Sequence, residues 1–222
     1  MFPKCAGVLV VVRSDETPET GSAILAIGAH PDDIELGCGG SLAKFAQAGR
    51  SVHALIFSKG RRGTLSEIDR EQETRTAHAK LGIHDVVVHD FDDTCLWTKL
   101  NEMIAIIEEA VRRTNPVRVY TMYQHDRHQD HRAVYEASAI ACRKVPQLLG
   151  YETPSSYPNF IPNIFEPIDA HLETKVQALQ CHTSQGSRLY MQEHNIRSAA
   201  HFRGVQVDLG PCEGFIPYKM IL

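Results

Sequence analysis

The chain has 222 residues, of which 43% are hydrophobic, with a formal net charge of −4 and a pI near 6.3. This length and apolar content suit one compact domain with a sizeable core and argue against two full domains. The acidic balance and the absence of a basic block argue against a nucleic-acid-binding protein.

The N-terminal segment MFPKCAGVLVVVR places a short apolar run between one lysine and one arginine. The run is too short to span a bilayer, and no small-residue cleavage site follows it. We therefore predict either an extra strand or a plain extension at the N-terminus, over residues 1–22. No other stretch reaches the ~18–20 uninterrupted apolar residues of a membrane helix, which predicts a protein without a membrane span.

Short apolar runs and helical periodicities alternate along the next part of the chain. Predicted strands lie at residues 22–30, 51–58, 84–91 and 116–123. Predicted helices lie at residues 39–50, 66–82, 99–114 and 131–145. Beyond residue 146 prolines become frequent and the alternation weakens, apart from a predicted helix at 170–181. The four repeats predict a single-domain α/β fold, a Rossmann-like three-layer sandwich with a mostly parallel sheet.

The six cysteines lie far apart, and none forms a C-x-x-C pair. In a chain of this size they indicate reduced residues of a cytoplasmic protein, with disulfides as the alternative. They are Cys5, Cys38, Cys95, Cys142, Cys181 and Cys212.

The first strand of the alternation leads into AHPDDIELGCGG, and ligands of open α/β sheets bind beyond the carboxyl ends of strands. The imidazole of His30 and the carboxylate of Asp33 are both suitable zinc ligands. If Asp33 binds a metal, Asp32 is free to act as a base. The alternative is that the two aspartates cap the following helix and favour its dipole. We attribute the glycines to close backbone packing, because the acidic DDIE before them would repel a phosphate.

A second polar segment, HDRHQDHR, follows the fourth predicted strand and contains His125, Asp126, His128, Asp130 and His131. Such a segment can supply a third metal ligand and further groups that orient it. Three protein ligands with an open fourth position describe a catalytic zinc site, although a His/Asp/His set also accepts iron. Zinc lowers the pKa of bound water to about 7, a carboxylate can take its proton, and a protonated histidine can stabilise an oxyanion.

Together these motifs resemble the PIG-L/LmbE-type family of zinc-dependent N-acetylglucosamine deacetylases. AHPDDIELGCGG is followed at about ninety residues by HQDH, in the order found in that family. A third motif comprises Arg70, Glu73, Ala77, Leu81 and Gly82, and a fourth comprises Lys175, Ala178, Leu179, His182, Ser184 and Gln185. The late CEGFIP is similar to the family's final motif. The resemblance implies a deacetylase domain over residues 23–222.

The resemblance also implies roles for individual residues. It implies zinc ligands at His30, Asp33 and His131. Asp32 is then the general base that activates water, and His128 stabilises the oxyanion and protonates the leaving amine, with Asp130 orienting His128. Arg70 matches an arginine that contacts sugar hydroxyls, with a surface salt bridge to Glu67 or Glu73 as the alternative.

Several positions depart from the family pattern. Gln129 stands where the second motif usually has proline, which affects loop stiffness. Arg61 and Arg62 stand where many members have GE, which predicts either an anionic substrate or a solvated loop. Asp126 stands where some relatives carry a tyrosine, so that tyrosine's role is not expected here. His182 and Gln185 either reach the site or pack beneath it.

The predicted function is removal of the N-acetyl group from an N-acetylglucosamine-type amino sugar, whether free, a glycoside or nucleotide-linked, through a zinc-activated water. One alternative is an amidase acting on a thiol conjugate or an antibiotic intermediate. Another is a non-catalytic Rossmann-like module that binds a sugar or nucleotide, for which a water-activating base is unnecessary. The expected partner is a small molecule, and the resemblance implies a homo-oligomer, trimeric or hexameric.

Overall fold

The centre of the sheet is the buried apolar strand that precedes the first polar segment. This strand, β2 (Ala23–Gly28), is covered on both faces, as expected of a parallel strand between helical layers. β3 (Val52–Ile56) and β4 (Asp85–Val88) extend the parallel sheet on one side of β2, and β5 (Pro116–Met122) and β6 (Gln147–Tyr151) extend it on the other. This computed structural model describes residues 10–11, 23–63 and 69–221.

The remaining strands lie beyond β6. β8 (Cys212–Met220) runs antiparallel to β6 and to β7 (Ile164–Pro167), and β1 (Val10–Val11) pairs in parallel with β7 at the edge. The sheet in the described part of the chain therefore has eight strands in the order β1-β7-β8-β6-β5-β2-β3-β4. The remainder of the predicted extension over residues 1–22 lies outside the described residues.

Helices cover the two faces of the sheet. On one face, α1 (Asp33–Gln47) and α2 (Arg70–Lys80) both contact α5 (Leu172–Gln180). On the other, α3 (Leu100–Thr114) packs against α4 (Gln129–Ala141). α6 (Glu193–Val205) lies against α5 and β8. The predicted mostly parallel three-layer α/β fold is therefore confirmed. No helix among the described residues has the length and apolar character needed to cross a membrane.

The start of α1 differs from the prediction of a helix over residues 39–50, because the helix begins at Asp33 and therefore includes Gly37 as well as Gly39 and Gly40. The helix is kinked at Cys38, whose backbone is not helical. A β-carbon on Gly37 would lie 2.0 Å from the Tyr151 ring, and one on Gly40 would lie 2.8 Å from Ile168. The predicted role in close packing is thus confirmed for Gly37 and Gly40, but not for Gly39, where a β-carbon would make an ordinary contact of 3.6 Å with Lys175.

The part of the chain beyond residue 146 contains more structure than the sequence predicted. Three strands, β6, β7 and β8, and the helix α6 were all missed. β7 is only four residues long, and β8 pairs with strands far away in sequence, so neither gives a local pattern. The predicted 170–181 helix is present as α5. The five cysteines in the described residues are free, as predicted, and Cys5 lies outside them.

A buried ion pair lies within the sheet and predicts a large loss of stability on substitution. Arg118 on β5 pairs with Glu166 on β7, and the Tyr120 hydroxyl donates to the same carboxylate at 2.8 Å. Glu166→Gln leaves the buried guanidinium without its counter-charge. We expect the free energy of unfolding to fall by about 3 kcal/mol, measured by urea denaturation. The double variant Arg118→Met/Glu166→Gln should recover part of the loss, and equal stability of wild type and Glu166→Gln would contradict the prediction.

Candidate active site

The first polar segment turns sharply between β2 and α1. Asp32 has a φ of 88°, in the left-handed region that Asp and Asn tolerate better than most residues. Its side chain makes no capping hydrogen bond to α1, whereas the Asp33 carboxylate accepts the N–H of Ala29 at 3.2 Å and of His30 at 2.8 Å. The capping part of the alternative is therefore wrong, because Asp33 binds the turn before the helix and Asp32 makes no capping hydrogen bond. Asp33 does lie in the first turn of α1, where a negative charge favours the helix dipole.

The second polar segment leads from β5 into α4. His128 is the N-cap of α4, and its Nδ1 accepts the N–H of Asp130 at 3.2 Å. Asp126 is fully buried, and its Oδ1 accepts the N–H of His128 at 2.8 Å. His125 is exposed at the start of the segment. β2 and β5 are neighbours in the sheet, so their carboxyl ends bring the two predicted segments together.

The carboxylate of Asp33 lies between two histidines. Its Oδ1 is 3.4 Å from Nε2 of His131, and its Oδ2 is 3.6 Å from Nδ1 of His30. All three side chains are at least nine-tenths buried. The three predicted ligands thus present one carboxylate and two imidazole nitrogens to the same small space.

Other carboxylates contact the ring nitrogens of His30 and His131 that point away from Asp33. His131 Nδ1 lies 3.1 Å from Asp126 Oδ2, and His30 Nε2 lies 3.1 Å from Asp130 and 3.2 Å from Asp93. Metal-ligating histidines almost always donate their second N–H to a carboxylate or carbonyl, which fixes the ring. These donor types and their supports suit a divalent cation, and the assignment of His30, Asp33 and His131 as its ligands stays a prediction.

Two other donor groups occur in the same place, and neither includes Asp33. Nitrogens of His30, His128 and His131 lie within 4.8 Å of one another, and so do donor atoms of His30, Asp93, His128 and Asp130. Asp130 is a poor ligand in this second set, because its carboxylate already accepts the N–H groups of Thr94 and Leu96 at 2.7 and 3.0 Å. This geometry also corrects one expectation, since the carboxylate of Asp130 contacts His30, whereas only the backbone N–H of Asp130 contacts the His128 ring.

The environment of Asp32 favours its neutral form. Burial is the largest cause, and the neighbouring Asp33 charge adds to it, so the pKa of Asp32 rises to about 7. The cationic Arg70, with a nitrogen 3.7 Å from Asp32 Oδ2, opposes this rise. A carboxyl group with a pKa near neutrality is suited to take and return a proton.

The pKa values of His131 and Asp33 shift in opposite directions. Burial alone would lower the pKa of His131, but Asp33 and Asp126 outweigh it and raise the pKa to about 9. The same pairing holds the pKa of Asp33 well below its ordinary value, against the effect of burial. Burial, and then the charges of His30 and His131, lower the pKa of His128.

Arg70 supports the turn that carries Asp32. It is buried and donates to the carbonyl of Gly60 at 2.7 Å and to that of Pro31 at 3.0 Å. The alternative pairing with Glu73 is not found, because Glu73 accepts from Thr183 and Ser184 instead. Glu67 lies outside the described residues. Arg70 also lines the cavity of about 290 Å³ that holds the site, which is compatible with the predicted contact to a substrate.

Two residues of the fourth motif, His182 and Gln185, lie near the site in different ways. His182 is fully buried, and its Nε2 lies 2.8 Å from Glu35, which also lies 3.2 Å from the buried His78. Glu35 thereby joins α1, α2 and the segment after α5. Gln185 lines the cavity, so of the two residues left open by the sequence, His182 packs beneath the site and Gln185 reaches it.

Several residues around the cavity were missed from the sequence. Asp93 follows β4, Thr153 and Pro154 follow β6, and Tyr190 lies in the turn Leu189–Met191. The carboxyl-end rule could have found Asp93, because the third strand was predicted. Asp126 was named as a member of the second polar segment and as a departure from the family pattern, but no contact with His131 was predicted for it.

The two arginines in KGRRG differ in their placement. Arg61 pairs with Asp90 at 2.7 Å on the surface. Arg62 lines the cavity and donates to the Thr94 hydroxyl at 3.0 Å. One of the two predicted cations therefore lies at the cavity, together with the exposed Arg188.

Comparisons with known proteins agree with these motifs. A family model described as PIG-L, GlcNAc-PI de-N-acetylase, matches residues 25–142. The chain is 48% identical over 167 residues to the uncharacterized deacetylase YaiS of Escherichia coli K12, which covers 72% of this chain and 90% of that protein.

Two further similarities extend across most of the chain. Diacetylchitobiose deacetylase of Thermococcus kodakarensis is 29% identical over 188 residues, 73% of this chain and 69% of that one. The crystal structure of a conserved protein from Thermus thermophilus superposes with a TM-score of 0.79 at 27% identity, covering 90% of this chain and 95% of that one.

Proposed function

Because the chain belongs to the PIG-L family of deacetylases, we propose that it is a metal-dependent enzyme that hydrolyses the N-acetyl group of an N-acetylglucosamine-type amino sugar. The observation that carries the proposal is the Asp33 carboxylate between His30 and His131, with Asp32 beside it at a pKa near 7. A sugar-binding module has no need of such a base.

His30, Asp33 and His131 would hold the metal ion, and their nitrogen and oxygen donors suit zinc or iron. When bound, the ion supplies a Lewis acid beside the scissile amide and lowers the pKa of a nearby water. The carboxylates of Asp126 and Asp130 keep the two imidazoles oriented toward this point.

Asp32 acts as the general base that takes a proton from the attacking water. Its raised pKa makes it a stronger base than an exposed aspartate, and Arg70 steadies the turn on which it lies. The left-handed backbone of Asp32 keeps its side chain out of a helix cap.

His128 stabilises the oxyanion and then protonates the leaving nitrogen. Its lowered pKa leaves the ring mostly neutral at pH 7 in the free site. A negative charge that develops beside the ring raises this pKa, so protonation is favoured when the tetrahedral oxyanion forms. Arg70 and Arg62 line the side of the cavity where sugar hydroxyls or an anionic substituent would bind.

The proposal is tested by metal analysis and acetate release on the purified wild-type chain. We expect about one zinc or iron per chain and acetate release from a panel of free, glycosidic and nucleotide-linked N-acetylglucosamine compounds. Hydrolysis should fall on chelation and return when zinc is added. A chain that holds one metal ion but releases no acetate from any member is not this deacetylase. The cytoplasmic location and the trimer or hexamer stay predictions.

A further inference from the structure

A second cavity, the α6 cavity, adjoins the catalytic cavity. It also has a volume of about 290 Å³ and lies between α6, β8 and the first turn of α1. Leu36, Thr153, Pro154 and Tyr190 line both cavities, so these four residues form a shared wall. A ligand that extends from the catalytic cavity past this wall enters the α6 cavity.

The strand order gives the catalytic cavity two unlike sides. The β3 and β4 side is polar and contributes Arg62, Asp93 and Thr94. The two polar segments follow β2 and β5 in the middle of the sheet. The β6 side contributes Thr153 and Pro154 and leads to the α6 cavity. A bound amide at the centre therefore points one substituent to each side.

The position of His128 decides which substituent points where. His128 belongs to one donor group with His131 and to another with Asp93, and the donor atoms of each group lie within 4.8 Å of one another. A leaving nitrogen beside His128 is therefore also close to Asp93 on the polar side. In the proposed reaction His128 protonates the leaving nitrogen, which carries the sugar. The sugar then lies among the polar groups, and the acyl group points toward Leu36, Pro154 and the α6 cavity.

The α6 cavity offers an apolar surface to such a group. Ile196, Ala199 and Ala200 of α6 line it, together with Phe202. Its charged residues are paired with one another, since Lys175 lies 2.5 Å from Glu213 and Arg203 lies 2.6 Å from Glu152. The paired charges leave no free ion to attract a polar ligand. The volume is roughly twice that of a ~150 Å³ apolar cavity that accepts benzene.

We propose that the α6 cavity binds the acyl chain of the substrate, so that the enzyme hydrolyses N-acyl amino sugars with linear chains longer than acetyl. This inference rests on the proposed function. Hydrolysis adds water across the amide, and it releases the carboxylic acid of the chain and the free amine of the sugar. The apolar chain gains contact with α6, while the sugar and the reacting groups stay where they are for an acetyl substrate.

The test compares N-acetyl-, N-butanoyl-, N-hexanoyl- and N-octanoylglucosamine, with released amine measured on the metal-loaded enzyme. Each buried methylene can raise kcat/KM by up to about fourfold. We therefore expect kcat/KM for N-hexanoylglucosamine to be at least tenfold higher than for N-acetylglucosamine. The β-octyl glycoside of N-acetylglucosamine carries an apolar chain of similar length as its aglycone instead of its acyl group. Its kcat/KM should show no comparable rise over that of N-acetylglucosamine.

Ala199→Phe places a ring in the cavity, and Ser198→Phe is its matched control. Both positions are exposed on α6, but only Ala199 lines the cavity. We expect Ala199→Phe to lower the hexanoyl-to-acetyl ratio of kcat/KM at least tenfold and Ser198→Phe to leave the ratio unchanged. General damage to the fold lowers both rates together and leaves the ratio as it was, which would contradict the assignment.

The other occupants of the cavity give different results. A gain with the octyl glycoside, and none with longer acyl chains, would assign the cavity to the aglycone and overturn the inference. If kcat/KM depends neither on the acyl chain nor on the octyl aglycone, and Ala199→Phe dissociates an oligomer, the α6 cavity would be assigned to a second copy of the chain. That result would also overturn the inference. Hydrolysis of acetyl substrates without chain-length dependence overturns this inference alone, whereas no hydrolysis of any amide overturns the proposed function with it.

Discussion

Asp32→Asn is expected to keep its bound metal and to lose about 10³-fold in kcat. General acid–base groups contribute about 10²–10⁴-fold, and the amide of asparagine cannot take a proton from water. Asparagine is the appropriate replacement because it tolerates the φ of 88° at this position, where alanine would add backbone strain. Metal content by elemental analysis and acetate release by coupled assay measure the two effects separately.

Asp69→Asn is the matched control for this substitution. Asp69 caps α2 by accepting the N–H groups of Glu71 and Gln72, and asparagine is as good an N-cap as aspartate. The control removes one carboxylate charge and should leave kcat and metal content unchanged. Loss of metal from Asp32→Asn would make Asp32 a ligand and contradict its role as base.

Asp33→Asn is expected to weaken metal binding by more than 100-fold and to abolish hydrolysis at stoichiometric metal. The substitution removes the charge between His30 and His131 but keeps an oxygen that can accept the N–H groups of the turn. The fold should therefore survive, as judged by circular dichroism. Competition with a chromogenic chelator measures the dissociation constant of zinc.

Asp126→Asn provides a graded comparison. Asp126 contacts His131 from behind, and loss of such a support typically costs about 10–100-fold in metal affinity. Excess zinc should restore hydrolysis in Asp126→Asn but not in Asp33→Asn. If Asp33→Asn retains stoichiometric metal while Asp93→Asn loses it, the ion is held by the alternative set that includes Asp93, and the ligand assignment is wrong.

The sequence predicted the first half of the fold because its elements carry local signals. β2, β3, β4 and β5 are short apolar runs, and the helices between them are periodic or capped, as at Asp69 before α2. The start of α1 was misplaced, because a helix that contains three glycines is not expected from propensity. The kink at Cys38 and the contact of Gly37 with Tyr151 depend on packing against β6.

Most of the secondary structure in the C-terminal third could not be predicted from the sequence, for a different reason. β8 is held by pairing with β6 and β7, and a strand whose partners are remote has little local preference. The α6 cavity is built from this part of the chain, so no sequence pattern pointed to it.

The sequence by itself indicated that two polar segments, around HPDD and HQDH, both lie at the carboxyl edge of a parallel sheet. It could do so because each follows an apolar strand, and parallel strands end at the same edge. Only the tertiary structure decided which carboxylate faces which imidazole. The Asp130 carboxylate contacts His30, one hundred residues away, rather than the ring of its near neighbour His128, and the Asp126 carboxylate contacts His131. Such pairings depend on the relative position of separate strands and loops, which local sequence patterns do not specify.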